Sequence, residues 1–141
     1  MRIMAIDYGD AHTGIAVSDP TGLLAGFTTV INAYRPDRVA EQIALLAKEH
    51  GAERLVLGHP INMDGTRGPR SEKAQAMRQL LEETTGLPVV LWDERRTTID
   101  AHQILMSSGK NAKKRKKVVD AVAASLILEG YLTYLKTHPE G

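Results

Sequence analysis

The chain contains no cysteine, which excludes disulfides, thiolate-held metals and a cysteine nucleophile. Aromatic residues are only 4% of its 141 residues, so stacking of single-stranded bases on aromatic rings is expected to be a minor contribution to any nucleic-acid binding. No apolar run approaches the ~18 residues that a membrane-spanning helix needs. Met1-Arg2 leads straight into strand-like sequence without a signal-peptide core, so the expected location is the cytoplasm. Net charge is +1, and total charge therefore says little about partners.

What is present is ordinary in bulk and uneven in detail. Hydrophobic residues are 43% and charged residues 25%, the balance of a soluble globular protein. The length suits a single domain, residues 1–141, able to bury one core. The unevenness lies first in a run of six cations with no acid, Lys110, Lys113, Lys114, Arg115, Lys116 and Lys117. Such a run can bind phosphates, or can be a solvated loop or fraying helix start.

It lies second in three carboxylates set in apolar surroundings. Asp7 ends the run Ile3-Met4-Ala5-Ile6. Glu94 follows Val89-Val90-Leu91-Trp92 and Asp93. Asp120 falls in the helical apolar pattern Val118 to Leu135. An unpaired charge taken out of water is costly, so each needs a partner or a task.

Periodicity places them. Ile3 to Ile6 has the continuous apolar character of a strand buried on both faces. Tyr8-Gly9-Asp10 turns the chain into a second strand, Gly14 to Ser18, and Asp19-Pro20-Thr21-Gly22 turns it into a third, Leu23 to Ile31. Val39, Ile43, Leu46 and Ala47 recur at helical spacing before Gly51. A strand at Arg54–Leu57 and an irregular stretch from His59 to Arg70 follow. A helix capped by Ser71 carries Ala74, Met77, Leu80 and Leu81 and stops at Gly86. Pro88 to Trp92 forms a fifth strand. Thr97 with Asp100 suggests a capping box for a short helix ending at Gly109, then a basic loop, then a final helix to about Leu135.

Strands alternating with helices in the second half predict parallel strands joined by right-handed crossovers. The expected fold is α/β: a five-stranded mixed sheet, its first three strands antiparallel and its last two parallel, flanked by helices. Sites in open sheets form outside the carboxyl ends of parallel strands, which places Asp7, His59 and the Asp93-Glu94 pair on one rim. At about 100° per residue Asp120 falls between Ala123 and Ala124 in the apolar stripe, and an acid in the first turn of that helix would also suit the helix dipole.

Each acid has a bland alternative. Asp7 could cap the turn at Gly9, Glu94 could pair with Arg95 or Arg96, and Asp120 could face water. If they converge, three carboxylates without thiolates make a hard-oxygen site for Mg²⁺ or Mn²⁺. Two such ions suit phosphodiester hydrolysis. The five histidines show no metal-ligand spacing, and His59 on the rim could act as a general acid or phosphate contact, although a spare loop residue is the stronger expectation.

Four groups of residues together resemble one family. They are Ala5-Ile6-Asp7-Tyr8-Gly9 with Thr13-Gly14-Ile15-Ala16, Asn62-Met63-Asp64-Gly65-Thr66 with Gly68-Pro69-Arg70, Trp92-Asp93-Glu94-Arg95 with Thr97-Thr98, and Lys114-Arg115-Lys116-Lys117 followed by Asp120 and Ala123-Ala124. The chain resembles the YqgF (RuvX) family of ribonuclease H-like nucleases, described as Holliday junction resolvases and as pre-16S rRNA nucleases. The resemblance implies a ribonuclease H-like fold with Asp7, Glu94 and Asp120 as catalytic and metal-binding acids. It also implies a nucleic-acid partner, structured RNA at the 5′ region of precursor 16S rRNA or else branched DNA.

Arg70, Arg95, Lys113, Lys114, Arg115, Lys116 and Lys117 are the candidates for holding phosphates. The family usually has Leu at position 59 and an apolar residue at position 96, where this chain has His59 and Arg96. Resolution of a DNA junction would require a homodimer, whereas RNA processing is open to a monomer. Two rivals remain. One is an actin-like ATPase or sugar kinase, since Asp7-Tyr8-Gly9 with Thr13-Gly14 resembles a phosphate-binding hairpin. The other is a binding module whose acids are structural.

Overall fold

The computed structural model describes residues 1–19, 25–59, 68–93 and 112–137, with backbone alone at 25, 112–121 and 137. Its strands are β1 (Ile3–Asp7), β2 (His12–Ser18), β3 (Ala25–Asn32), β4 (Arg54–His59) and β5 (Val89–Asp93). The described helices are α1 (Pro36–His50), α2 (Pro69–Thr85) and α3 (Ala112–Thr137). The sheet order is β3-β2-β1-β4-β5. β1 pairs antiparallel with β2, and β2 with β3, whereas β1, β4 and β5 run parallel. This is the mixed sheet that the alternation of elements implies.

Strand alternation separates two apolar layers. Met4, Ile6, Ile15, Val17, Leu55 and Leu57 face α1 and α2, meeting Val39, Ile43, Met77 and Leu81. Ile3, Ala5, Ala16, Val56 and Trp92 face α3, meeting Ala124, Ile127, Leu128, Tyr131 and Leu132. β1 lies in the middle of the sheet and is buried on both faces, which is why its sequence is apolar without a break. The Tyr131 hydroxyl in this layer accepts a 2.8 Å hydrogen bond from Arg54 Nη1, so the phenol enters the core with its polar end satisfied. Gly51 and Gly86 close α1 and α2 at φ 67° and 71°, the left-handed positions their sequence context implied.

Several boundaries differ from expectation for identifiable reasons. β2 begins at His12 because the ladder with β3 starts at the His12–Asn32 pair, before the apolar residues. α1 begins at Pro36, whose fixed φ and missing N–H suit a first helical position. α2 begins at Pro69 behind Gly68, so Ser71 is no cap but a buried residue of the first turn. The largest correction is at α3. The basic run is not a loop, because the helix starts at Ala112 and includes Lys113, Lys114, Arg115, Lys116 and Lys117. Asp120 therefore lies beyond the second turn rather than in the first, and the dipole argument for it lapses, since that field fades within one turn. The expected helix from Thr97 to Gly109 and the loop around Asp64-Gly65 lie outside the described residues.

Candidate active site at the sheet rim

Because β1, β4 and β5 are parallel, their last residues share one edge of the sheet. Asp7 ends β1 opposite Gly14 of β2, and His59 ends β4 opposite Asp93 of β5. Alternation then divides the rim. Asp7 follows Ile3 and Ala5 onto the face that α3 covers, whereas His59 follows Leu55 and Leu57 onto the face of α1 and α2.

Asp7 is partly buried, and among the described residues it has neither a hydrogen-bond donor nor a cation as partner. It is thus not the turn-capping acid of the bland alternative. A partly buried carboxylate with no partner among the described residues is a suitable place for a cation.

The other two acids are placed less fully. Glu94 and Arg95 lie outside the described residues, directly after the end of β5. Asp120 belongs to α3, one turn before the buried Ala124, but its side chain and those of Lys113 to Lys117 are not described. α3 packs across β1 and β2, so the helix that carries Asp120 covers the face to which Asp7 belongs. Among the described residues no three metal-ligating side chains converge. Arg70 is exposed in the first turn of α2, beside Tyr8, Gly9 and Asp10 of the β1–β2 turn.

The sequence missed two features of this edge. His59, expected to be spare, is buried, and its Nε2 lies 2.6 Å from Ser71 Oγ, which also accepts a 3.3 Å bond from Gln75 Nε2. The pair ties the end of β4 to the first turn of α2 and so fixes the rim against that helix. A histidine followed by Pro60, at the end of an apolar strand, was the available signal, but its partner twelve residues away was not. The second is a cavity of about 340 Å³ between the β1–β2 turn, the segment after β3, the start of α1 and the middle of α2, lined by Tyr8, Tyr34 and Lys73 among others. Burial pushes the Tyr8 phenol above its ordinary value, Lys73 opposing and Asp10 adding to the shift, so Tyr8 is a neutral donor at physiological pH. Lys73 Nζ lies 3.2 Å from Asp10 Oδ1, an exposed ion pair of small worth.

Comparison with known proteins places this geometry in context. Residues 1–134 match the family model described as RuvX: Holliday junction resolvase. Two relatives provisionally named pre-16S rRNA nuclease come from Halothermothrix orenii and Bacillus subtilis. They are 43% and 44% identical over 95% and 96% of this chain, and over 96% and 99% of their own lengths. Among solved structures, Thermus thermophilus RuvC in complex with a Holliday junction substrate superposes with a TM-score of 0.64, at 16% identity over 97% of each chain. That likeness shows a shared fold, the ribonuclease H-like arrangement of the resolvases.

Proposed function

The chain belongs to the RuvX family, and from that premise we propose that it cuts phosphodiester bonds at the rim where β1, β4 and β5 end, with Asp7, Glu94 and Asp120 holding a divalent ion. It is a nuclease, a hydrolase of phosphodiester bonds that binds nucleic acid. The observation that carries the assignment of the site is Asp7: a partly buried carboxylate at a parallel-strand terminus, on the face covered by α3, without a partner among the described residues.

The donor chemistry fits the proposed ion. The three acids offer only hard oxygen ligands, and no thiolate exists to attract a softer metal. Mg²⁺ or Mn²⁺ bound there would supply charge stabilisation at phosphorus and lower the pKa of water. The protein's own residues do the rest. β1 fixes Asp7 through pairing on both sides, and the His59–Ser71 contact holds the end of β4 in place.

The five cations from Lys113 to Lys117 stand in the first two turns of α3, at the positive end of its dipole. Like charges there are unfavourable until an anion arrives, and this suits the run to a phosphate backbone. Arg70 and Arg95 extend that contact on our reading.

For the substrate we favour precursor 16S rRNA, because the relatives carry that name, and on our reading the cut falls at its 5′ region in the cytoplasm. No helix among the described residues is long and apolar enough to cross a membrane. The second reading is a DNA four-way junction, favoured by the description of the family model; it requires two coordinated cuts and hence a homodimer. Purified protein with Mn²⁺ should cleave the RNA at its 5′ flank and leave the junction intact, and the reverse result would transfer the assignment to DNA. Asp7→Asn should lower cleavage by at least about 100-fold, or ~2.7 kcal/mol of barrier, with an unchanged melting temperature. Undiminished cleavage by that variant would end the proposal for the site.

A further inference from the structure

The geometry points to a second nucleic-acid contact behind the rim: the cavity between the β1–β2 turn, Tyr34, the start of α1 and residues 73–80 of α2 takes one nucleotide of a single strand flanking the cleaved bond. The inference rests on the nuclease reading for the identity of the strand, and on the cavity for everything else.

The position comes from the strand. Asp7 belongs to the α3 face, and Tyr8, the next residue, packs against the core on the opposite face. The cavity that Tyr8 lines is therefore one residue along the chain from the candidate catalytic carboxylate, around the edge of β1. A strand crossing the rim at Asp7 reaches it without leaving the surface.

Size and lining suit a base with its sugar. The volume is about 340 Å³, within the range of small-ligand sites. Ala76, Met77 and Leu80 of α2 supply an apolar lining, and Tyr34 stands 80% exposed at the end of β3, between Ala33 and Arg35. A tyrosine so exposed contributes nothing to the core and offers a ring on which any base can stack. The chain has four tyrosines, and two of them line this one cavity, so the scarcity of aromatics is a matter of location as well as number.

The electrostatics suit a phosphate. Lys73 lines the cavity and also the small cleft beside it, where Arg70 joins it. α1 begins at the cavity with Pro36, whereas α2 lines it from its second turn onward, with Lys73. A phosphate there would meet Lys73 in the cavity and Arg70 in the adjoining cleft. Asp10 opposes this, but its contact with Lys73 is between side chains 87% and 60% exposed, so exchanging the carboxylate for a phosphate costs little.

The test separates this contact from catalysis. Without divalent metal, a single-stranded RNA trinucleotide is titrated into the protein and followed by amide chemical shifts. Tyr8, Tyr34, Lys73 and Leu80 should move, Y34L should weaken binding at least about fivefold, and Y34F should retain it. Shifts that avoid these residues, or wild-type affinity in Y34L, would overturn the inference. With Mn²⁺, Y34L should raise KM about fivefold for a duplex bearing a single-stranded extension and leave the blunt duplex unchanged. An equal effect on both, or none on either, would also overturn it. If neither duplex is cut by the wild type, the nuclease reading fails, and the titration still decides the cavity.

Discussion

Replacing Gly9 by alanine should disturb the site without touching a functional group. Gly9 sits in the turn between β1 and β2, and a Cβ built there would lie 2.4 Å from the carbonyl oxygen of His12. That is roughly 1 Å inside ordinary contact for carbon against a neighbouring heavy atom. The atom in the way is backbone, and His12 begins the ladder with β3, so neither side can yield by changing a rotamer. The turn must open instead.

Forced overpacking of this kind costs about 1–3 kcal/mol, and for a chain of this length the melting temperature should fall by about 3–10 °C. Asp7 is two residues away and paired with Gly14 across the same hairpin, so the opening should displace its carboxylate. A displacement on the order of 1 Å at a catalytic group can lower the rate by ~100-fold. Urea denaturation followed by circular dichroism measures the first effect, and Mn²⁺-dependent cleavage of an RNA hairpin at a temperature where the variant is folded measures the second. Asp10→Ala, an exposed neighbour, is the control and should be nearly silent in unfolding. G9A unfolding within about 0.5 kcal/mol of wild type would refute the steric argument. Lost stability with full cleavage would refute the transmission to Asp7.

Three further outcomes follow from the same structure. Thr13 is fully buried, and among the described residues its Oγ1 has no hydrogen-bond partner, so Thr13→Val should raise the urea midpoint by an amount corresponding to about 1 kcal/mol; a lowered midpoint would reveal a function for the hydroxyl. Tyr8 has its pKa raised above the ordinary 10.0 by burial, so the unfolded chain ionises first and stability is lost as pH rises beyond that value. Tyr8→Phe should therefore lose less stability than wild type between about pH 9 and pH 11, and parallel curves would contradict the shift. Lys114→Gln with Lys116→Gln should lower the slope of log K against log salt for RNA by about one for each phosphate contact removed; an unchanged slope would take the basic start of α3 out of the interface.

The layout of the sheet was legible in the sequence because burial leaves a local signature. β1 is apolar throughout since both its faces are covered, and Gly51 and Gly86 mark helix ends since each adopts positive φ. The rim position of Asp7 followed from strand order alone. The start of α3 was not legible by the same means. Apolar periodicity begins at Val118, whereas lysine and arginine favour helix without any periodic mark, so the helix extends back to Ala112 unannounced.

What only the tertiary structure decided are pairings between distant residues. His59 with Ser71, Lys73 with Asp10 and Arg54 with Tyr131 span 12, 63 and 77 positions, and no window of sequence contains the reason for them. The cavity formed by Tyr8 and Tyr34 is of the same kind, arising where a turn, the segment after β3, the start of α1 and the side of α2 meet. The sequence by itself determined which apolar runs are buried, which acids stand against that tendency, and the family to which they belong. The fold determined which face of the sheet each of those residues occupies, because the side of a strand is set by its register against its neighbours.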